Sequence, residues 1–252
     1  MPSSLDLRVR AATDVITGPT GPMPVGVFHQ NGVDLPMITS APPSLAHYFA
    51  VTAAMHAQTE FLVDGDERLS FADTYSRARV VAGALVEGWG VCKGDRVGIA
   101  MRNAPAWVIL YMGILMAGGV VTLLNGWWQG GELADGIDDV GATLVFADTQ
   151  RALRLAESGR DGGARIVTLD LTQPTDAVLA PVLAAGGGAD TILHDIIGDD
   201  LANILFTSGS TGRSKGAFST HRAVVQGTYS YIVQAMMMLQ IATEDGLVKA
   251  GA

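Results

Sequence analysis

The chain has 252 residues, long enough for one or two domains with a sizeable core. Its composition, 48% hydrophobic and 16% charged, is that of an apolar globular protein, and a net charge of −9 with no basic run argues against nucleic-acid binding. The single cysteine, Cys92, excludes an intrachain disulfide and fits a reducing, cytoplasmic compartment, and no Cys-x-x-Cys or His-Glu-x-x-His pattern marks a metal site.

Residues 1–12 carry Asp6, Arg8 and Arg10 with no long apolar stretch behind them, unlike a secretory signal. Residues 13–43 hold six of the ten prolines, so 1–43 reads as an extended N-terminal arm with short strands at most. Pro42-Pro43-Ser44 then introduces a helix with Leu45, Tyr48, Phe49 and Thr52 on one side. Phe61–Val63 and Arg68-Leu69 flank a turn at Asp64-Gly65-Asp66. Ser70 to Trp89 is the clearest helix: Ser70 and Asp73 form a capping pattern, Phe71, Tyr75, Ala78, Ala82, Leu85 and Trp89 make one apolar stripe, and Gly90 is placed to end it. A turn at Lys93-Gly94-Asp95 leads into a strand, Val97 to Met101.

From Asn103 to Gly131 there is no charged residue. The run Trp107 to Leu124 is nearly all apolar and long enough for a membrane span. The favoured reading is instead a buried helix from Ala106 to Ala117, a stop at Gly118-Gly119, and a strand from Val120 to Leu124, where β-branched residues follow the glycines. Trp127-Trp128 reads as packing at the core or its rim, and also offers peripheral membrane contact. Next come a helix from Gly131 to Val140 stopped by Gly141, a strand Thr143–Ala147, a helix Arg151–Ser158 and a strand Arg165–Leu169. This alternation predicts an α/β fold with largely parallel β-sheets covered by helices. Residues 170–199 read as a mobile connection. A Met-rich helix runs from Arg222 to about Ile241, and one of Met236, Met237 and Met238 is expected to face a partner surface.

Between Ile204-Leu205-Phe206, a short buried strand, and a second strand, Ala217–Thr220, lies a loop of hydroxyls and glycines with a basic pair, Arg213 and Lys215. Gly209, Gly212 and Gly216 let the backbone approach a ligand closely. Successive N–H groups in such a turn form an anion nest. Thr207, Ser208, Ser210 and Thr211 add hydroxyls, and Lys215 adds a mobile cation. No acidic residue occurs between Asp200 and Glu244, so the segment suits one small anion, a phosphate chain above all. The spacing matches neither a Walker A loop, since Lys215 precedes Gly216 rather than Ser or Thr, nor a Gly-x-Ser-x-Gly elbow.

The stretch Phe206-Thr-Ser-Gly-Ser-Thr-Gly-Arg-Ser-Lys-Gly216, with Thr220-His221 after it, closely resembles the phosphate-binding loop of the adenylate-forming (AMP-binding) enzymes. Ser214 stands where that family usually has proline, which removes a φ restraint but no ligand group. Gly94-Asp-Arg-Val97 and Arg102-Asn-Ala-Pro-Ala106 resemble segments of its acyl-CoA synthetase branch, and the resemblance covers roughly residues 44–241. It implies that 44–252 is the N-terminal portion of an adenylation domain in a longer enzyme. That enzyme would use ATP, Mg²⁺ and coenzyme A to convert a carboxylic acid, most simply a fatty acid, into acyl-adenylate and then acyl-CoA. The implied phosphate-binding residues are Thr207, Ser208, Gly209, Ser210, Thr211, Gly212, Lys215 and Gly216. The family's adenine, ribose and Mg²⁺ motifs and its lid lysine are not found in the chain, so no catalytic residue is assigned and the chain alone is expected to be inactive and prone to self-association. A nucleotide-binding module without catalysis and a membrane-associated structural fragment built on 107–124 are the competing readings.

Overall fold

The computed structural model describes residues 2–207 and 214–248. They form two compact units, one from the chain before Ser44 and after His221, the other spanning Ser44–His221.

The first unit is more regular than an extended arm. Its opening residues form a helix, α1, Ser4–Thr17. Ser3 explains the start: its backbone N–H donates to Asp6 Oδ2 at 2.8 Å while its hydroxyl accepts from the Asp6 N–H, a complete capping box that the proline-rich composition downstream obscures. Strands β1, Val25–Gln30, and β2, Val33–Ile38, pair antiparallel around Asn31-Gly32, whose φ values of 51° and 78° fit the left-handed turn such hairpins favour. A 24-residue helix, His221–Glu244, numbered α8 below, supplies the rest. Its Gln226 side chain both donates to and accepts from the backbone of Ile38, and the Arg222 guanidinium lies 4.0 Å from the centre of the Phe28 ring.

The second unit begins with α2, Leu45–Met55, and a hairpin of β3, Glu60–Asp64, and β4, Glu67–Ser70. Helix α3, Phe71–Glu87, starts on the predicted Ser70–Asp73 capping box and buries Ala78, Val81, Ala82 and Leu85. It stops at Gly88, two residues ahead of the predicted Gly90, which is itself left-handed at φ 69°. Strand β5, Arg96–Ala100, is followed by α4, Pro105–Met116, with proline at its first position, where no helical N–H bond is lost. Gly118 then takes φ 85°, and β6, Val120–Leu123, runs back through the core. The apolar stretch from Trp107 is therefore helix, glycine stop and strand. This is the helix-then-strand reading favoured from the sequence, and no helix among the described residues is long and apolar enough to cross a membrane, which sets aside the rival span.

Helix α5, Gly130–Val140, ends at left-handed Gly141; β7, Leu144–Asp148, α6, Thr149–Ser158, and β8, Arg165–Leu169, follow. The expected mobile connection contains a further helix, α7, Thr175–Leu183, that buries Val178, Leu179 and Val182. Three contacts dock this segment: Arg77 Nε donates to Asp176 at 2.7 Å, the Trp89 indole N–H donates to the Val182 carbonyl at 2.8 Å, and the backbone at Gly188 closes on Gly83. A Cβ at Gly83 would sit 1.9 Å from the Gly188 oxygen, so only glycine permits that approach. The internal Pro181 and the Gly186-Gly187-Gly188 run disguised the helix in the sequence.

Strands β9, Leu201–Thr207, and β10, Lys215–Thr220, complete a six-stranded sheet of order β10-β9-β6-β5-β7-β8, parallel except for the β9–β10 hairpin. The two central strands bury every residue from Val97 to Ala100 and from Val120 to Thr122, as a sheet covered on both faces requires.

Candidate functional site: a phosphate-loop hairpin and a switch-point cleft

Strand β9 runs parallel to β6, buried from Ala202 to Ile204, and emerges at Thr207. The chain returns at Lys215, paired opposite Thr207, and the Thr207 hydroxyl donates to the Lys215 carbonyl at 3.4 Å. The two ends of the hydroxyl-rich loop are thus clamped together at the carboxyl end of β9, a strand parallel to the central β6. Ser208, Gly209, Ser210, Thr211 and Gly212, with Arg213, lie outside the described residues. Thr207 and Lys215 are exposed, and Lys215 makes no ion pair among the described residues. Gly216 has a packing explanation beside the ligand one: a Cβ there would meet Ile204 at 2.9 Å and Val140 at 3.1 Å. Against the base of the hairpin, Trp128 stacks edge-on to Phe206 at 5.0 Å, so one tryptophan of the pair belongs to the packing; its neighbour Trp127 is 77% exposed.

A hollow of about 130 Å³ beside the hairpin is lined by Ser214, Phe206 and three acids of α5, Glu132, Asp135 and Asp139. Glu132 is held in the helix's capping box and Asp135 pairs with Arg160 at 2.7 Å. No group of three His, Cys, Asp or Glu that could hold a metal ion occurs among the described residues.

A second concavity, about 270 Å³, opens where the β5-to-β6 and β6-to-β7 connections leave in opposite directions, the place where open α/β sheets take ligands. Arg102, Asn103, Asn125, Gly126, Trp127 and Arg151 line it. Its wall is built from a buried ion pair. Asp148 caps α6, accepts from the Arg102 N–H at 2.9 Å, and meets Arg151 Nη1 at 3.1 Å. Arg151 Nε and Arg154 Nη1 both donate to the Gly126 carbonyl, which fixes the loop that carries Trp127. Sequence reasoning passed over this cleft. Its residues are scattered over three strand ends, and only the strand order brings them together.

His221, at the junction of β10 and α8, is 1% exposed. Its Nδ1 accepts the Leu45 N–H at 3.2 Å, capping α2, and its backbone N–H donates to the Asp200 carbonyl. Burial lowers its pKa to about 4, only partly opposed by the Asp200 carboxylate, so the ring is neutral near pH 7. For Asp200, burial opposes ionisation, but hydrogen bonds from Lys93 and the Ile197 N–H bring its carboxyl net below the ordinary range.

Comparison with known proteins decides the family. The family model described as AMP-binding enzyme matches residues 49–245. The chain belongs to the AMP-binding enzyme family. It is 30% identical over 178 residues to the medium/long-chain-fatty-acid–CoA ligase FadD6 of Mycobacterium tuberculosis, covering 71% of this chain and 29% of that one. It is 28% identical over 206 residues to a long-chain-fatty-acid–CoA ligase of Yersinia pestis, covering 71% and 37%. Among solved structures, the N-terminal domain of FACL13 from Mycobacterium tuberculosis superposes with a TM-score of 0.62 at 23% identity, over 71% of this chain and 45% of that one. VinN, solved with 3-methylaspartate, gives 0.64 at 22%, over 76% and 52%. These structural likenesses establish the α/β fold. The chain spans less than two fifths of either ligase's length.

Proposed function

We propose that the protein activates a carboxylic acid, a fatty acid in the first instance, by adenylation followed by transfer to coenzyme A. In this reading residues 44–252 are the N-terminal portion of the adenylation domain, preceded by the 1–43 segment, and further sequence supplies the adenine, ribose and Mg²⁺ contacts and the lid lysine. The observation that carries the reading is the β9–β10 hairpin, which clamps a Thr-Ser-Gly-Ser-Thr-Gly loop at Thr207 and Lys215 on the carboxyl end of a buried parallel strand. The likeness to two fatty-acid–CoA ligases supports the choice of acid.

A carboxylate is a poor acyl donor. Its oxygen attacks the α-phosphorus of ATP, the bond to the β-phosphate oxygen breaks, and pyrophosphate leaves. The coenzyme A thiolate then attacks the acyl carbon and AMP departs with its oxygen. The work asked of this chain is to hold the polyphosphate in line and to offset its charge. In the proposal Thr207, Ser208, Gly209, Ser210, Thr211, Gly212, Lys215 and Gly216 surround the β- and γ-phosphates, with Lys215 as the counter-charge. The switch-point cleft, with the Arg102 guanidinium and the exposed Trp127 indole, suits a second phosphorylated, base-bearing molecule such as coenzyme A. The test is carboxylate-dependent ATP–pyrophosphate exchange with a panel of fatty and aryl acids. Exchange with fatty acids supports the proposal; ATP binding without exchange for any acid would favour a non-catalytic nucleotide module instead.

A further inference from the structure

A third concavity lies on the other side of the second unit. It is bounded by α2, the middle of α3, the carboxyl end of α4 and residues 193–196, and has a volume of about 280 Å³. Met116 closes α4 just ahead of β6, and Ile196 precedes β9, so the hollow sits at the amino ends of the strands. The phosphate-loop hairpin and the switch-point cleft are at the carboxyl ends, and adenylation as proposed makes no use of this one.

Its polar lining is basic. Arg79, His47 and His194 face it together with the Tyr75 side chain, and Asp195 is the one acid among the lining residues. Arg79 is incompletely partnered. Nη2 donates to the Thr191 carbonyl at 2.6 Å, but Nη1 is buried with no hydrogen-bond partner, and no carboxylate of the described residues forms an ion pair with the guanidinium. Asp195 does not relieve this, since the contact made by that residue is its backbone carbonyl accepting from Lys93 Nζ. Partly buried guanidinium groups are ordinarily paired with a carboxylate or phosphate, because leaving the charge uncompensated is costly. One imidazole has a donor to spare. His47 takes the Ser44 hydroxyl on Nδ1, which leaves its Nε2 for a ligand, whereas the His194 Nε2–H donates to the Val91 carbonyl and leaves only an acceptor nitrogen on that ring. Met116 and Ile196 make part of the remaining wall apolar.

We propose that this cavity is a binding site for a small organic monocarboxylate, its carboxylate on Arg79 and His47 and its aliphatic body against Met116 and Ile196. The apolar wall favours a carboxylate with a short chain over an inorganic oxyanion, and a volume of about 280 Å³ is ample for one.

The test uses the 252-residue chain with methyl-labelled methionine and sodium butyrate as probe, followed by NMR of the Met116 methyl group and by calorimetry. Sodium phosphate is the comparison anion. The expected result is saturable butyrate binding that shifts the Met116 resonance, falls at least tenfold in Arg79→Gln and is retained in Arg79→Lys. The thermal unfolding midpoint of Arg79→Gln confirms that the variant is folded. Equal binding in Arg79→Gln, a shift produced equally by phosphate, or no Met116 shift at saturating butyrate would each overturn the proposal.

Discussion

At the scale of single residues, two buried groups set measurable stabilities. His221 was legible only as the second half of a Thr-His pair. The structure shows it capping α2 through a neutral ring. Its folded pKa of about 4 lies below the ordinary histidine value of 6.5, so between those pH values the unfolded chain binds the extra proton. Stability should therefore be complete above pH 6.5 and decline as pH falls toward 4, by up to about 1.4 kcal/mol per pH unit. His221→Gln, which keeps an acceptor for Leu45 but cannot titrate, should flatten that part of the profile in urea melts at pH 7 and pH 5. An equally steep loss in the variant would place the titrating group elsewhere. The second group is Asp148, whose carboxylate compensates the 3%-exposed Arg151 and caps α6. Asp148→Asn should cost about 3–5 kcal/mol, the range for breaking a buried pair, read as a fall in denaturation midpoint. A change within experimental error would mean that Arg151 finds other partners.

At the scale of elements, the sequence was most readable where period and punctuation agreed. Ser70, Asp73 and the apolar stripe behind them defined α3 to within two residues at its end. Gly118-Gly119 followed by Val-Val separated α4 from β6 in a run whose composition alone fits a membrane span. The failures have physical causes too. Helix α1 rests on a local capping box at the edge of a proline-rich region, and α7 depends on tertiary docking by Arg77, Trp89 and Gly83 rather than on its own propensity. The Gly118 stop yields a direct test. A Cβ there would meet His194 no closer than 3.4 Å, so the penalty is conformational, arising from φ 85°. Gly118→Ala should lower stability by about 1–2 kcal/mol, and Gly118→Val by more, in thermal or urea denaturation. A neutral alanine variant would show that the helix stop does not depend on the left-handed backbone.

For the whole molecule, strand order accounts for what the sequence could not show. The loop motif was visible as a run of residues, but the switch-point cleft exists only because β5, β6 and β7 adopt the order β6-β5-β7. The same order leaves β10 at one edge of the sheet, with its Phe218 67% exposed and Leu205 of the adjacent β9 46% exposed. An open edge carrying apolar side chains promotes association. The 252-residue chain alone should sediment as oligomers, Phe218→Lys should shift it toward monomer, and a monodisperse wild-type monomer would contradict this. The central claim, that the β9–β10 hairpin holds the polyphosphate during carboxylate activation, is tested most directly by fatty-acid-dependent ATP–pyrophosphate exchange. The assay takes the protein as expressed from its own gene, with whatever follows Ala252, and compares it with Lys215→Ala. A lost charged hydrogen bond of about 1.5–3 kcal/mol corresponds to a roughly ten- to hundred-fold loss in ATP use by Lys215→Ala. Unchanged exchange in that variant, or no exchange by the wild-type protein with any acid, would contradict the account.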